Sequence, residues 1–275
     1  MSINNKPKFN DVGFLSDESS TNHIALEVIT SEHFTVCNNL NVLAHSALNK
    51  AVVHPDDRKE VYVMLYFQRM LSHYQALIIM AERGMVHQVE IMLRCMLETL
   101  FNLVALHQNA DLFDALILGD DDQRLILLKR IREKQKTTAT YTHDELKTLD
   151  KIIASAEDAD REDFKIYMKA DMAGMLNDYR TTYPLLSEAV HSTVHSIETD
   201  LIFDDNDDEI ISINSFTQKT GEMSLLLMTS ANYITIGIEM LFTVFPNAEN
   251  ETDLLQLKDN VQNLWQNVVV AVQHR

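Results

Sequence analysis

Residues 85–108, MVHQVEIMLRCMLETLFNLVALHQ, decide the fold. Apolar residues occupy nearly the whole circumference of a 3.6-residue helix here, so the segment predicts a helix enclosed by other helices rather than one laid on a surface. A single polar line crosses it. Glu90, Arg94, Glu98 and Asn102 recur at four-residue steps and therefore share one face. Burying an unpaired guanidinium or carboxylate costs several kcal/mol, so these groups must pair with one another, line a cleft, or meet polar groups from elsewhere. Arg94 and Glu98, at i,i+4, are within reach of each other.

Working outward, the 275 residues contain only 6 Gly and 4 Pro, too few for a turn-dense all-β fold or a glycine-rich phosphate loop. Helical periodicity recurs near 22–50, 57–83, 85–109, 110–136, 143–174, 184–198, 217–245 and 251–273. This predicts an all-α bundle of about seven to eight helices. His54-Pro55, Gly84 and Phe245-Pro246 supply breaks, and Thr142 with Glu145 has the spacing of a capping box. Residues 199–215 differ: Leu201-Ile202-Phe203 and Ile210-Ile211-Ser212-Ile213 flank an acidic run, which predicts a small β-hairpin insertion with an acidic tip. The tip lacks the glycine and distal glutamate of an EF-hand and reads as a solvated turn. With no repeat and no Ser/Gly/Pro-rich linker, a single helical domain over 21–275 follows a polar, flexible tail at 1–20.

The formal charge of −18 disfavours non-specific attraction to nucleic acid or anionic lipid. One segment runs against it. Between 124 and 136, six cations (Arg124, Lys129, Arg130, Arg132, Lys134, Lys136) face only Glu133, and such a helix usually solvates its charges or pairs them with acidic neighbours. Cys37 and Cys95 lie in apolar helical patterns without CxxC spacing, which reads as buried thiols in a reducing, cytoplasmic setting. Residues 1–20 lack the apolar stretch of a secretory signal. The apolar run 223–245 is long enough to cross a bilayer, but Asn232 and Glu239 within it favour a central core helix and no membrane partner. In the last helix Leu254, Leu257, Val261, Leu264, Val268 and Ala271 form a seam that the chain's own core or a second copy could fill, with intramolecular packing favoured.

A second helix, opening at Pro184, sends Leu186, Val190, Val194 and Ile197 to the core. Ser187, His191 and His195 step along its other face, and imidazoles titrating near neutrality can pass protons. The same spacing could seat zinc, and Glu188-x-x-His191 matches half of a di-iron motif. HExxH and the second ExxH are missing, so neither a metal nor another cofactor is expected. Ser187 lacks the GxSxG elbow of a serine hydrolase.

Arg94-x3-Glu98-x3-Asn102 within RCMLETLFNL, followed by YPLLSEAVHSTVH, resembles a prokaryotic all-helical family of unknown function with an Arg-x3-Glu helix and a later Ser-x3-His helix. That family is similar in outline to the HEPN group, which includes metal-independent ribonucleases of toxin–antitoxin and phage-defence systems acting through an Arg and a His at a dimer interface. The resemblance implies RNA as a partner and a homodimer. Arginine and histidine come from two helices here, and the local pair Arg69-x3-His73 departs from the HEPN spacing. If the two stripes face each other, Arg94 would hold a phosphate and His191 would act as general base or acid. His195 would take the complementary proton role, and Glu98 would orient a cation. Ser187 and Asn102 would position substrate, and a ribose 2′-hydroxyl as nucleophile would make a metal unnecessary. The competing expectation is a non-catalytic module in which Arg94, Glu98 and His191 form a satisfied buried network and the acidic surface recruits a protein partner. A third is a ligand pocket between helices with Arg94 as anion anchor.

Overall fold

Gly84 makes the turn on which the core is built. Its φ of 67° lies in the left-handed region that glycine enters without strain. There the Met85 amide reaches back to the Met80 carbonyl (3.1 Å), closing a Schellman motif. The helices on either side fold back on each other and pack along their length. The computed structural model describes residues 7–109, 113, 121–138, 140–157, 164–191, 194–198, 201–203, 210–213 and 220–273. In chain order its elements are α1 (Phe9–Val12), α2 (His23–Ile29), α3 (Glu32–Lys50), α4 (Arg58–Ala81), α5 (Val86–Gln108), α6 (Asp121–Thr138), α7 (His143–Glu157), α8 (Ile166–Met172), α9 (Leu176–Arg180), α10 (Thr182–His191), α11 (Val194–Glu198), β1 (Leu201–Phe203), β2 (Ile210–Ile213), α12 (Thr220–Val244) and α13 (Glu251–Gln273).

Polar side chains start the helices. Asn22, Ser31 and Asp57 accept backbone amides at the heads of α2, α3 and α4, and Thr142 with Glu145 forms the reciprocal capping box of α7 (2.8 and 3.3 Å). The core is one cluster running from Val28 to Val268. α5 buries Val89, Leu93, Met96, Leu97, Leu100 and Phe101 completely, as its apolar circumference requires. α12 packs against α3, α4, α5 and α13. It is long and apolar enough to cross a membrane, yet 72% of its most apolar window is buried by other helices. Close approach of α12 to α4 uses Gly237, where a Cβ would collide with Met70. The seam of α13 is filled within the chain: Leu254, Val261, Leu264 and Val268 are buried as α13 packs on α12 and α3.

The predicted architecture of seven to eight helices with a hairpin insertion is corrected. The helices are more numerous and shorter, because expected continuous segments divide. Residues 143–174 contain α7 and α8, with Gly174 (φ 67°) ending the second in another Schellman turn. Residues 184–198 contain α10 and α11. The fold is helical in every packed layer. The stretch read as a β-hairpin insertion amounts to strands of three and four residues, antiparallel from Leu201–Ile213 to Phe203–Ile210 with a register shift between Ile202 and Phe203. Its acidic tip lies outside the described residues. From Pro7 onward, the segment read as a tail carries α1 and two 3₁₀ turns. Ser16 and Ser19 are buried there, and Arg83 Nη1 donates to the Phe14 carbonyl (3.3 Å) and Ser19 Oγ (2.9 Å).

The basic segment pairs with its neighbour. Lys129 meets Glu157 at 2.7 Å and Arg132 meets Asp150 at 2.6 Å, joining α6 to α7 as a helical hairpin.

Candidate functional site

The polar line of α5 meets α10. Arg94 Nη2 donates to the Tyr183 hydroxyl (2.7 Å) and lies 2.9 Å from Glu98 Oε1, while the same hydroxyl donates to Glu98 Oε1 (2.7 Å). The three groups close a triangle. The phenol spends its proton on the carboxylate and a lone pair on the guanidinium, so each polar atom in the ring is satisfied. Arg94 Nε adds a bond to Ser187 Oγ (3.1 Å), whose own proton goes to the Tyr183 carbonyl (2.7 Å). The guanidinium carbon lies 4.9 Å from the Tyr183 ring centroid, and the ring stacks on Tyr179 at 5.1 Å. Arg94 retains 17% of its side-chain exposure and Glu98 34%. Arg94 Nη1 has no partner among the described residues.

These contacts run antiparallel: Tyr183 touches Glu98 and Arg94, and Ser187, one turn on, touches Arg94. His191, another turn on, closes α10, is exposed, and makes no hydrogen bond with a described residue. The structure therefore brings together Arg94, Glu98 and Ser187, and it leaves the His191 imidazole unbonded to them. His195 belongs to α11, and its side chain lies outside the described residues. Asn102 turns back on its own helix, donating to the Glu98 carbonyl (2.9 Å). Glu90 pairs with His87 (3.1 Å). Among the described residues no group of three or more His, Cys, Asp or Glu converges on one point.

Tyr183 is the residue that sequence reasoning missed. It extends the Ser187–His191 spacing back by one turn, but Pro184 reads as a helix start, whereas the helix begins at Thr182. His73, which the sequence offers only in the pair Arg69-x3-His73, is electrostatically coupled to this site. The antiparallel α4–α5 pairing brings it within the field of Glu98. Burial, and then the Arg69 charge, lowers the His73 imidazole, against the pull of Glu98. Burial first, then the bond and charge of Glu98, raises the Tyr183 phenol, with Arg94 opposing. Burial and Glu98 likewise raise the Cys95 thiol. Two helices thus flank α5: α4 with an imidazole, and α10 with a phenol, a hydroxyl and a second imidazole.

Comparison with curated proteins and with solved structures finds no match. Residues 60–210, which hold α4, α5 and α10 and so every member of this network, match the model of a family of unknown function (DUF5677), and the chain belongs to that family.

Proposed function

We propose that the chain is a non-catalytic helical interaction module, in which Arg94, Glu98, Tyr183 and Ser187 lock α10 onto α5 and the acidic surface recruits a basic protein partner. The closed Arg94–Tyr183–Glu98 triangle carries this reading. A carboxylate and a phenol already consume one edge of the guanidinium, as in a structural tie between helices. The −18 charge favours a cationic partner over a polyanion. The test combines metal-free RNA cleavage by clean wild-type protein with unfolding of Arg94→Ala. The expected result is no cleavage by wild type and a lowered Tm in the variant. Cleavage by wild type that disappears in folded Arg94→Ala and His191→Ala proteins would overturn it.

A second reading, a metal-independent ribonuclease of the HEPN-like, toxin–antitoxin type acting as a homodimer, is favoured by one observation: Nη1 of Arg94 has no partner among the described residues, and each of the two helices packed on α5 carries an imidazole, His73 on α4 and His191 on α10. In that reading Nη1 holds a phosphate and one imidazole takes the 2′-hydroxyl proton as that oxygen attacks phosphorus. The other imidazole protonates the departing 5′-oxygen. The same assay decides between the two.

A further inference from the structure

α12 and α13 meet at Lys258 and Glu239, an ion pair, and beside it they flank a half-open cavity of about 350 Å³. Its lining is Asn232, Thr235, Lys258, Val261, Gln262 and Trp265. Trp265 is half-buried against the core and supplies a broad aromatic surface. The Asn232 and Gln262 amides make no hydrogen bond with another described residue, and both are exposed. Thr235 spends its hydroxyl on the Ala231 carbonyl (2.7 Å), and Val261 adds apolar surface. The volume falls at the small end of the range for ligand pockets, roughly 300–1,000 Å³.

The lining selects a kind of molecule. An aromatic wall favours a flat π-system in offset stacking. Two primary amides each offer donors and an acceptor, which suits a ring edge that alternates donors with acceptors. The one cation is already neutralised by Glu239, and a chain at −18 repels anions. We propose that this chamber binds an uncharged planar heteroaromatic molecule of nucleobase size, stacked on Trp265 and read along its edge by Asn232 and Gln262. It uses no member of the Arg94 network and goes beyond the function proposed above.

Trp265 is the only tryptophan, so its emission reports on this chamber alone. Full-length protein is titrated with adenosine and with guanosine, with benzoate as an anionic planar control, and thermal unfolding is followed in parallel. The expected result is a saturable change in tryptophan emission with at least one nucleoside, with a rise in Tm. Binding is expected to weaken at least tenfold in Asn232→Ala and in Gln262→Ala. Both positions are exposed, so the variants keep the core, which circular dichroism verifies. No saturable change with either nucleoside at millimolar concentration would overturn the proposal. So would benzoate binding as tightly as the nucleosides, or wild-type affinity in both alanine variants.

Discussion

α5 and α6 are both long helices that carry a line of charge, and they settle it in opposite ways. On α5, Arg94 keeps only 17% of its side-chain exposure, and its charge is met by an acid, a phenol and a hydroxyl from two helices. On α6, Lys129 and Arg132 reach acids on α7 that remain about half exposed. The ion pairs look alike on a contact map, but water screens the second set and is largely kept from the first. Less screening strengthens the attraction between the charges on α5, at the cost of the water they have lost. The apolar sides of the two helices differ in the same sense: α5 buries Phe101 completely, while α6 leaves Leu127 55% exposed.

The largest effect that would sharpen this contrast is in the apolar residues themselves. Phe101→Ala is expected to cost about 3–5 kcal/mol in denaturant unfolding, whereas Leu127→Ala stays within about 0.5 kcal/mol of wild type. Next is the close approach of α12 to α4. Gly237→Val drives side-chain atoms into fully buried Met70 and is expected to cost roughly 1–3 kcal/mol by overpacking. Third, a double-mutant cycle on Arg94→Ala and Tyr183→Phe is expected to give a coupling of about 1 kcal/mol. The matching cycle on Arg132→Ala and Asp150→Ala should give none that survives physiological salt. Equal couplings in the two cycles would break the comparison.

The smallest effect is a dependence on pH. Burial is the first cause that lowers the imidazoles of His33, His73 and His107 from their ordinary 6.5. His33 Nε2 and His107 Nδ1 are buried with no hydrogen-bond partner among the described residues. Arg69 and Lys59 push His73 and His107 the same way, while Glu32 and Glu98 pull His33 and His73 back. Unfolding lets these rings take up protons that the fold refuses. Their stabilisation is therefore complete above about pH 6.5 and is lost as pH falls through the lowered folded values. The denaturant midpoint is expected to drop on that acidic side, with a shallower drop in His107→Gln.

Much of the helical layout was legible in the residues. Gly84, the cap at Thr142 and Glu145, the enclosed character of 85–108 and the central place of 223–245 follow from local backbone chemistry and from apolar periodicity, which act over a few residues. The ends of the shorter helices were harder. Pro184 is a good first-turn residue, but Thr182 and Tyr183 precede it in the helix because Tyr183 is held by Arg94 and Glu98 on α5. A helix that stops just before Gly174 was likewise hidden inside a long periodic stretch.

The candidate site divides along the same line. That Arg94 and Glu98 would share a face, and that Ser187 and His191 would share another, was determined by four-residue spacing alone, because a helix puts such residues in register whatever surrounds it. Which face met which was decided only by the tertiary structure. The antiparallel seating of α10 on α5 joined Arg94 to Tyr183 and Ser187 and left His191 a turn away, and the α4–α5 turn brought His73 toward Glu98. Side-chain periodicity is a property of one helix, whereas the partner of a buried charge depends on how two helices pack, and that is settled by the summed burial of their apolar faces.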